Sequence, residues 1–144
     1  MLFCPVTARV GEGFCAVLLL PVLLCVFAAV EIFGAAGAET DAEAILKKAD
    51  GAERILIGGK ATVTAEAAEV FAAGGIKLLG NEGQSVGPED APMQVHLILL
   101  RKEIALLEGI VLKDVPEGRY FLSAAPLNLA GADGAPCRAY LIEA

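Results

Sequence analysis

Residues 92–109 read PMQVHLILLRKEIALLEG. Proline suits the first turn of a helix, where its missing N–H costs nothing, so Asp90 and Pro92 are expected to start a helix over PMQVHLILL. Ile104–Leu107 is short and wholly apolar, which fits a strand, and Glu108-Gly109 ends it. A helix feeding an apolar strand is the repeating unit of an α/β domain. Working outward, Asp41–Ala49 predicts a short helix with acidic residues early and Lys47-Lys48 late, as the helix dipole prefers. Arg54–Ile57 predicts a strand stopped by Gly58-Gly59. Thr64 caps a helix to about Ala73, which buries Ala67, Val70 and Phe71 and ends at Gly74-Gly75. Ile76–Leu79 is apolar enough for a strand buried on both faces, and Gly80–Asp90 is a polar loop. Pro116–Gly118 is a turn, and strands are expected over Tyr120–Ala125 and Ala139–Ile142. The order indicates a mixed α/β domain, with Tyr120, Phe121 and Tyr140 expected in its core.

The first 38 residues are different in kind. The chain of 144 residues is 56% hydrophobic, with a mean hydropathy of +0.65, and much of the excess lies between Gly13 and Val30, where there is no charge. Arg9 before this run, the run itself and Ala36-Gly-Ala38 after it follow the order of a secretory signal peptide. Pro21 interrupts the run, which barely reaches the length of a spanning helix. Expected here is an apolar N-terminal helix over a segment 1–38 that is a signal peptide, a membrane anchor or a gene-model artefact, followed by a domain over 39–144. The chain is then exported or anchored, with membrane contact through residues 14–30, if the segment is genuine; otherwise it is cytoplasmic.

The net charge of −7, with no stripe of Lys or Arg, speaks against nucleic acid as a partner. Of the four cysteines, Cys4, Cys15 and Cys25 lie in the apolar segment; only Cys137 lies beyond it, and no Cys-x-x-Cys spacing exists. Neither serine, Ser85 or Ser123, sits in a Gly-x-Ser-x-Gly elbow.

His96, the single histidine, precedes Glu108 by twelve residues. Imidazole and carboxylate are ligands for zinc-like metals, yet a lone histidine on an apolar helix is more often a hydrogen-bonded core residue. Met93 and Leu100 share its helical face and are expected to shield it.

From about Ala42 onward the chain resembles the cyclase family of metal-dependent hydrolases, which includes bacterial kynurenine formamidase. The likeness is carried by Gly80–Asp90, by VHLILL, by LLEGIVLKDVPEG and by AAPLNLAGADGAPCRAYLIE. It implies the C-terminal half of a cyclase-family β/β/α domain, an incomplete mixed sheet with open edges. It also implies that His96 and Glu108 match two late metal ligands, that the metal is zinc or manganese, and that the chemistry is hydrolysis of an amide such as N-formylkynurenine. The family's His-x-Gly-Thr-His-x-Asp-x-Pro motif has no counterpart here. Two ligands are too few for a catalytic zinc, so no tightly bound metal and no stand-alone activity are expected, and a small-molecule substrate only if the coordination sphere is completed. The alternative is a non-catalytic, exported or anchored binding fragment. Open edges predict a homo-oligomer or an aggregation-prone chain.

Overall fold

In the computed structural model, residues 16–18, 28–34, 39–59, 61–127, 129–130, 132 and 134–143 are described. The elements run β1 (Ala16–Leu18), β2 (Ala28–Gly34), α1 (Ala42–Ala49), β3 (Arg54–Gly58), α2 (Ala65–Ala73), β4 (Leu78–Asn81), α3 (Pro92–Leu100), β5 (Ala105–Leu107), β6 (Gly118–Pro126) and β7 (Gly134–Glu143).

The helices start and stop where side-chain chemistry dictates. Asp41 accepts from the Ala44 N–H at 3.0 Å, Thr64 accepts from the Ala67 N–H at 3.2 Å, and Pro92 opens α3. Each cap satisfies a backbone donor that the first helical turn leaves unpaired. The cap residue of α3 is Ala91 rather than Asp90, and it offers no side-chain bond. Gly75 follows α2 with φ 72°, a left-handed turn that glycine adopts without a steric penalty.

Three β–α–β units place β2, β3, β4 and β5 side by side and parallel. β6 pairs antiparallel with β2, and β7 with β6. The result is one curled sheet in the order β5-β4-β3-β2-β6-β7, and β1 bridges β5 and β7 to close it. The apolar strands are divided between two cores by the alternation of side chains along a strand. Ile55, Ile57, Leu79 and Leu106 pack against Ile45 and Ala49 of α1, Phe71 of α2, and Val95 and Leu99 of α3. Their neighbours Leu56, Leu78 and Leu107 pack on the other side with Ile32, Tyr120, Leu122 and Leu141.

Three expectations require correction. The described residues of the segment expected to be an apolar helix are strands: β2 pairs with β3 and β6, and Val30 and Ile32 are core residues. An apolar run interrupted by proline is compatible with either state, and pairing in a sheet decided it. Among the described residues no helix is long and apolar enough to cross a membrane. The signal or anchor reading otherwise falls on residues 1–15, 19–27 and 35–38, outside the described set, as do Cys4, Cys15 and Cys25. Open edges are expected of an incomplete sheet; the outer strands β5 and β7 instead both pair with β1. Finally, Tyr120 is buried, but Phe121 and Tyr140 are 46% and 39% exposed, because they lie on the face of the β6–β7 pair that turns away from the core.

Gly80 sits in a tightly packed part of the sheet. A Cβ there would lie 2.5 Å from Leu56 Cδ2 and 3.1 Å from the Leu107 carbonyl oxygen. Gly80→Ala should cost about 1–3 kcal/mol, read as a lower urea midpoint at unchanged m-value; wild-type stability would contradict this packing.

Candidate metal-ligand pair at the end of the sheet

α3 and β5 bring His96 and Glu108 together. His96 Nε2 lies 3.0 Å from Glu108 Oε1, and His96 Nδ1 lies 2.8 Å from the Pro92 carbonyl oxygen one helical turn earlier. The same Oε1 accepts the Val86 backbone N–H at 2.8 Å. Glu108 is only 6% exposed, so its carboxylate is taken from water and held by two donors instead.

The bonding fixes the ring's protonation. A carbonyl only accepts, so the proton on Nδ1 is assigned by Pro92. Nε2 is left to face the carboxylate, and as an imidazolium it donates to Oε1. The hydrogen bond to Glu108 raises the His96 pKa above 6.5; partial burial opposes this, and the Pro92 carbonyl and the charge on Glu108 add to it.

Cover around the ring differs from the expectation. Met93 is 68% exposed and gives little, whereas Leu100 packs against the helix–sheet core. The loop after β4 contributes more. Val86 from this loop is fully buried and binds Glu108. The loop is stitched to the turn after β5 by Gly109 N–H to the Gly83 carbonyl at 2.7 Å and Ile110 N–H to the Asn81 carbonyl at 3.3 Å. Glu82 extends the stitching by accepting the Gly59 N–H with one oxygen and the Leu112 N–H, at 2.7 Å, with the other. The polar, glycine-rich composition of 80–90 marked a loop, but backbone donors such as the Val86 N–H leave no trace in a sequence.

The donor set suits zinc or manganese as part of a coordination sphere: one imidazole nitrogen with its proton fixed on the far side, and one buried carboxylate. It is not a whole one. Among the described residues no three His, Cys, Asp or Glu side chains cluster as a metal site.

The raised pKa has a signed consequence. The charged pair adds stability that is fully present below about pH 6.5 and is lost as pH rises through the folded value. NMR titration of His96 should give a midpoint above 6.5, and Glu108→Gln should lower it. A wild-type midpoint at or below 6.5 would contradict the pairing.

No family model matches the chain. A kynurenine formamidase of Erythrobacter litoralis is 44% identical over 82 residues, 56% of this chain and 38% of the relative. That of Sphingopyxis alaskensis is 38% identical over 107 residues, 65% of this chain and 51% of the relative. The chain thus spans about half, or less, of the length of these curated relatives. Among solved structures, a potential metal-dependent hydrolase with cyclase activity superposes with a TM-score of 0.71 at 28% identity, covering 81% of this chain and 65% of that one. An isatin hydrolase, at 20% identity and a TM-score of 0.66, covers 83% of this chain and 61% of its own and shares the fold. Over the matched part, sequence and fold agree: the chain is similar to kynurenine formamidases in sequence and to a potential metal-dependent hydrolase with cyclase activity in fold.

Proposed function

We propose that His96 and Glu108 are two ligands of the metal centre of an amide hydrolase of kynurenine formamidase type. The observation that carries this reading is the 3.0 Å approach of His96 Nε2 to a buried carboxylate oxygen. The partial match to kynurenine formamidases supports it. The reaction class is hydrolysis of an N-formyl aniline such as N-formylkynurenine: water adds to the formyl carbon, the C–N bond breaks, and the amine and formate leave. A divalent metal in such a site supplies acidification of water and polarisation of the carbonyl. The chain's own residues have simpler tasks. Pro92 orients the imidazole, the Val86 N–H orients the carboxylate, and the surrounding apolar packing keeps both groups largely out of water.

Because two donors do not complete a sphere, the remaining ligands come from outside the pair, and the chain alone is inactive. Purified chain with Zn²⁺ or Mn²⁺ should show no turnover of formylated anilines above background. A chimera that places the N-terminal portion of the Sphingopyxis relative before residue 28 should be active. His96→Ala or Glu108→Gln should cut that activity at least about tenfold, since even residues that only orient metal ligands are worth about 10–100-fold. An active chimera indifferent to both substitutions would overturn the assignment.

A further inference from the structure

Glu82 is the first residue after β4, and its carboxylate reaches to both sides. One oxygen accepts the N–H of Gly59, directly past the end of β3; the other accepts the N–H of Leu112, in the stretch that follows β5. A single half-buried side chain therefore spans the exits of three neighbouring parallel strands. Gly59 takes part with φ 85°, a conformation that glycine alone adopts without strain.

These bonds close a ring around Glu108. On one side, residues 81–83 hold the stretch directly after it: Gly109 N–H donates to the Gly83 carbonyl at 2.7 Å, Ile110 N–H to the Asn81 carbonyl at 3.3 Å, and Leu112 N–H to Glu82. On the other side, the chain from Gly83 to Val86 is braced from within. Asn81 Nδ2 donates to the Ser85 carbonyl at 3.2 Å, a brace that leaves Asn81 Oδ1 buried without a donor. The Val63 N–H holds the Val86 carbonyl at 2.9 Å. Val86, fully buried, then gives its own N–H to Glu108 Oε1 at 2.8 Å. Glu108 is gripped twice: the turn after it through residues 81–83, and its carboxylate through Val86.

The position calls for a carboxylate. Two acceptor oxygens serve two backbone donors, whereas a glutamine would turn its NH₂ towards one of the two N–H groups. Bonds to an ionised acceptor are also about twice as strong as neutral ones. With each oxygen committed to a backbone donor that holds a loop, Glu82 positions rather than reacts. We infer that Glu82 is a positioning residue for Glu108: by tying the exits of β3 and β5 to that of β4, it sets the loop whose Val86 N–H aims the Glu108 carboxylate at His96. That the aim serves a metal rests on the hydrolase reading above; that Glu82 sets it does not.

The test follows amide hydrogen exchange by NMR in the full chain, in chelator, so that neither metal nor substrate contributes. Glu82→Gln should speed exchange at Val86, which touches Glu108 and not Glu82, by at least about tenfold relative to Ile55 and Leu56 in the middle of the sheet, the worth of one charge-assisted hydrogen bond. Glu82→Asp keeps the charge but falls one methylene short of spanning both loops; it should give the same local loss, and it serves if the glutamine variant does not fold. In the wild type, couplings across hydrogen bonds should link the Gly59 and Leu112 amide nitrogens to the Glu82 carboxylate carbon. Val86 exchange that stays in step with Ile55 and Leu56, whether all are unchanged or all accelerate together, would reduce Glu82 to a source of general stability and overturn the assignment, as would absence of the couplings. In the chimera, Glu82→Gln should weaken Zn²⁺ binding about tenfold, the lower end of what partners of metal ligands are worth. Unchanged Zn²⁺ affinity there, in a chimera that Glu108→Gln does weaken, would also overturn it. The exchange measurement is independent of the chimera's sensitivity to His96 and Glu108, so the two readings fail separately.

Discussion

One carboxylate oxygen organises this end of the protein. Glu108 Oε1 is shared by the Val86 N–H and His96 Nε2, and it is buried where an unpaired charge would be strongly disfavoured. Each partner comes from a different part of the chain: the end of β5, the loop after β4, and the middle of α3. Removing the carboxylate would leave a buried N–H without an acceptor and the imidazole without its counter-charge. The geometry of the helix, the strand and the loop is thus tied to a single polar contact.

The parallel sheet explains why polar groups gather here. Consecutive β–α–β units send β2, β3, β4 and β5 in one direction, so their carboxyl ends open on one side, and the loops leaving them meet. Glu82 binds the backbone after β3 and after β5. Glu117 accepts the N–H of Gly34 at the end of β2, at 2.7 Å, where any Cβ on Gly34 would strike that same oxygen. Carboxylates that accept backbone donors hold strand ends in place without hydrophobic bulk, and so leave cavities between them.

The sequence announced the regular elements after Asp41 because their signals are local. The Thr64 cap, the Gly74-Gly75 stop and the apolar run at 104–107 each specify their own conformation. It could not announce β2, since AAVEIFG acquires its strand state from β3 and β6, and its apolar surroundings suggested a leader. Nor could it separate Tyr120 from Phe121 and Tyr140: alternation along a strand says that neighbours face opposite sides, not which side is the core. The approach of His96 to Glu108 was readable only through family likeness, because twelve residues of intervening helix and strand carry no distance information. Asn81, buried at a strand end, gave no warning of its unpaired oxygen.

The central claim is that the imidazole and the carboxylate are placed to hold one metal ion together. A zinc-soaked crystal of the chimera that completes the coordination sphere, phased so that anomalous scattering locates the metal, tests it most directly. The account predicts a peak about 2.0–2.2 Å from both His96 Nε2 and a Glu108 carboxylate oxygen, with Nδ1 still on the Pro92 carbonyl. Zinc bound elsewhere, with the His96–Glu108 hydrogen bond intact, would contradict it.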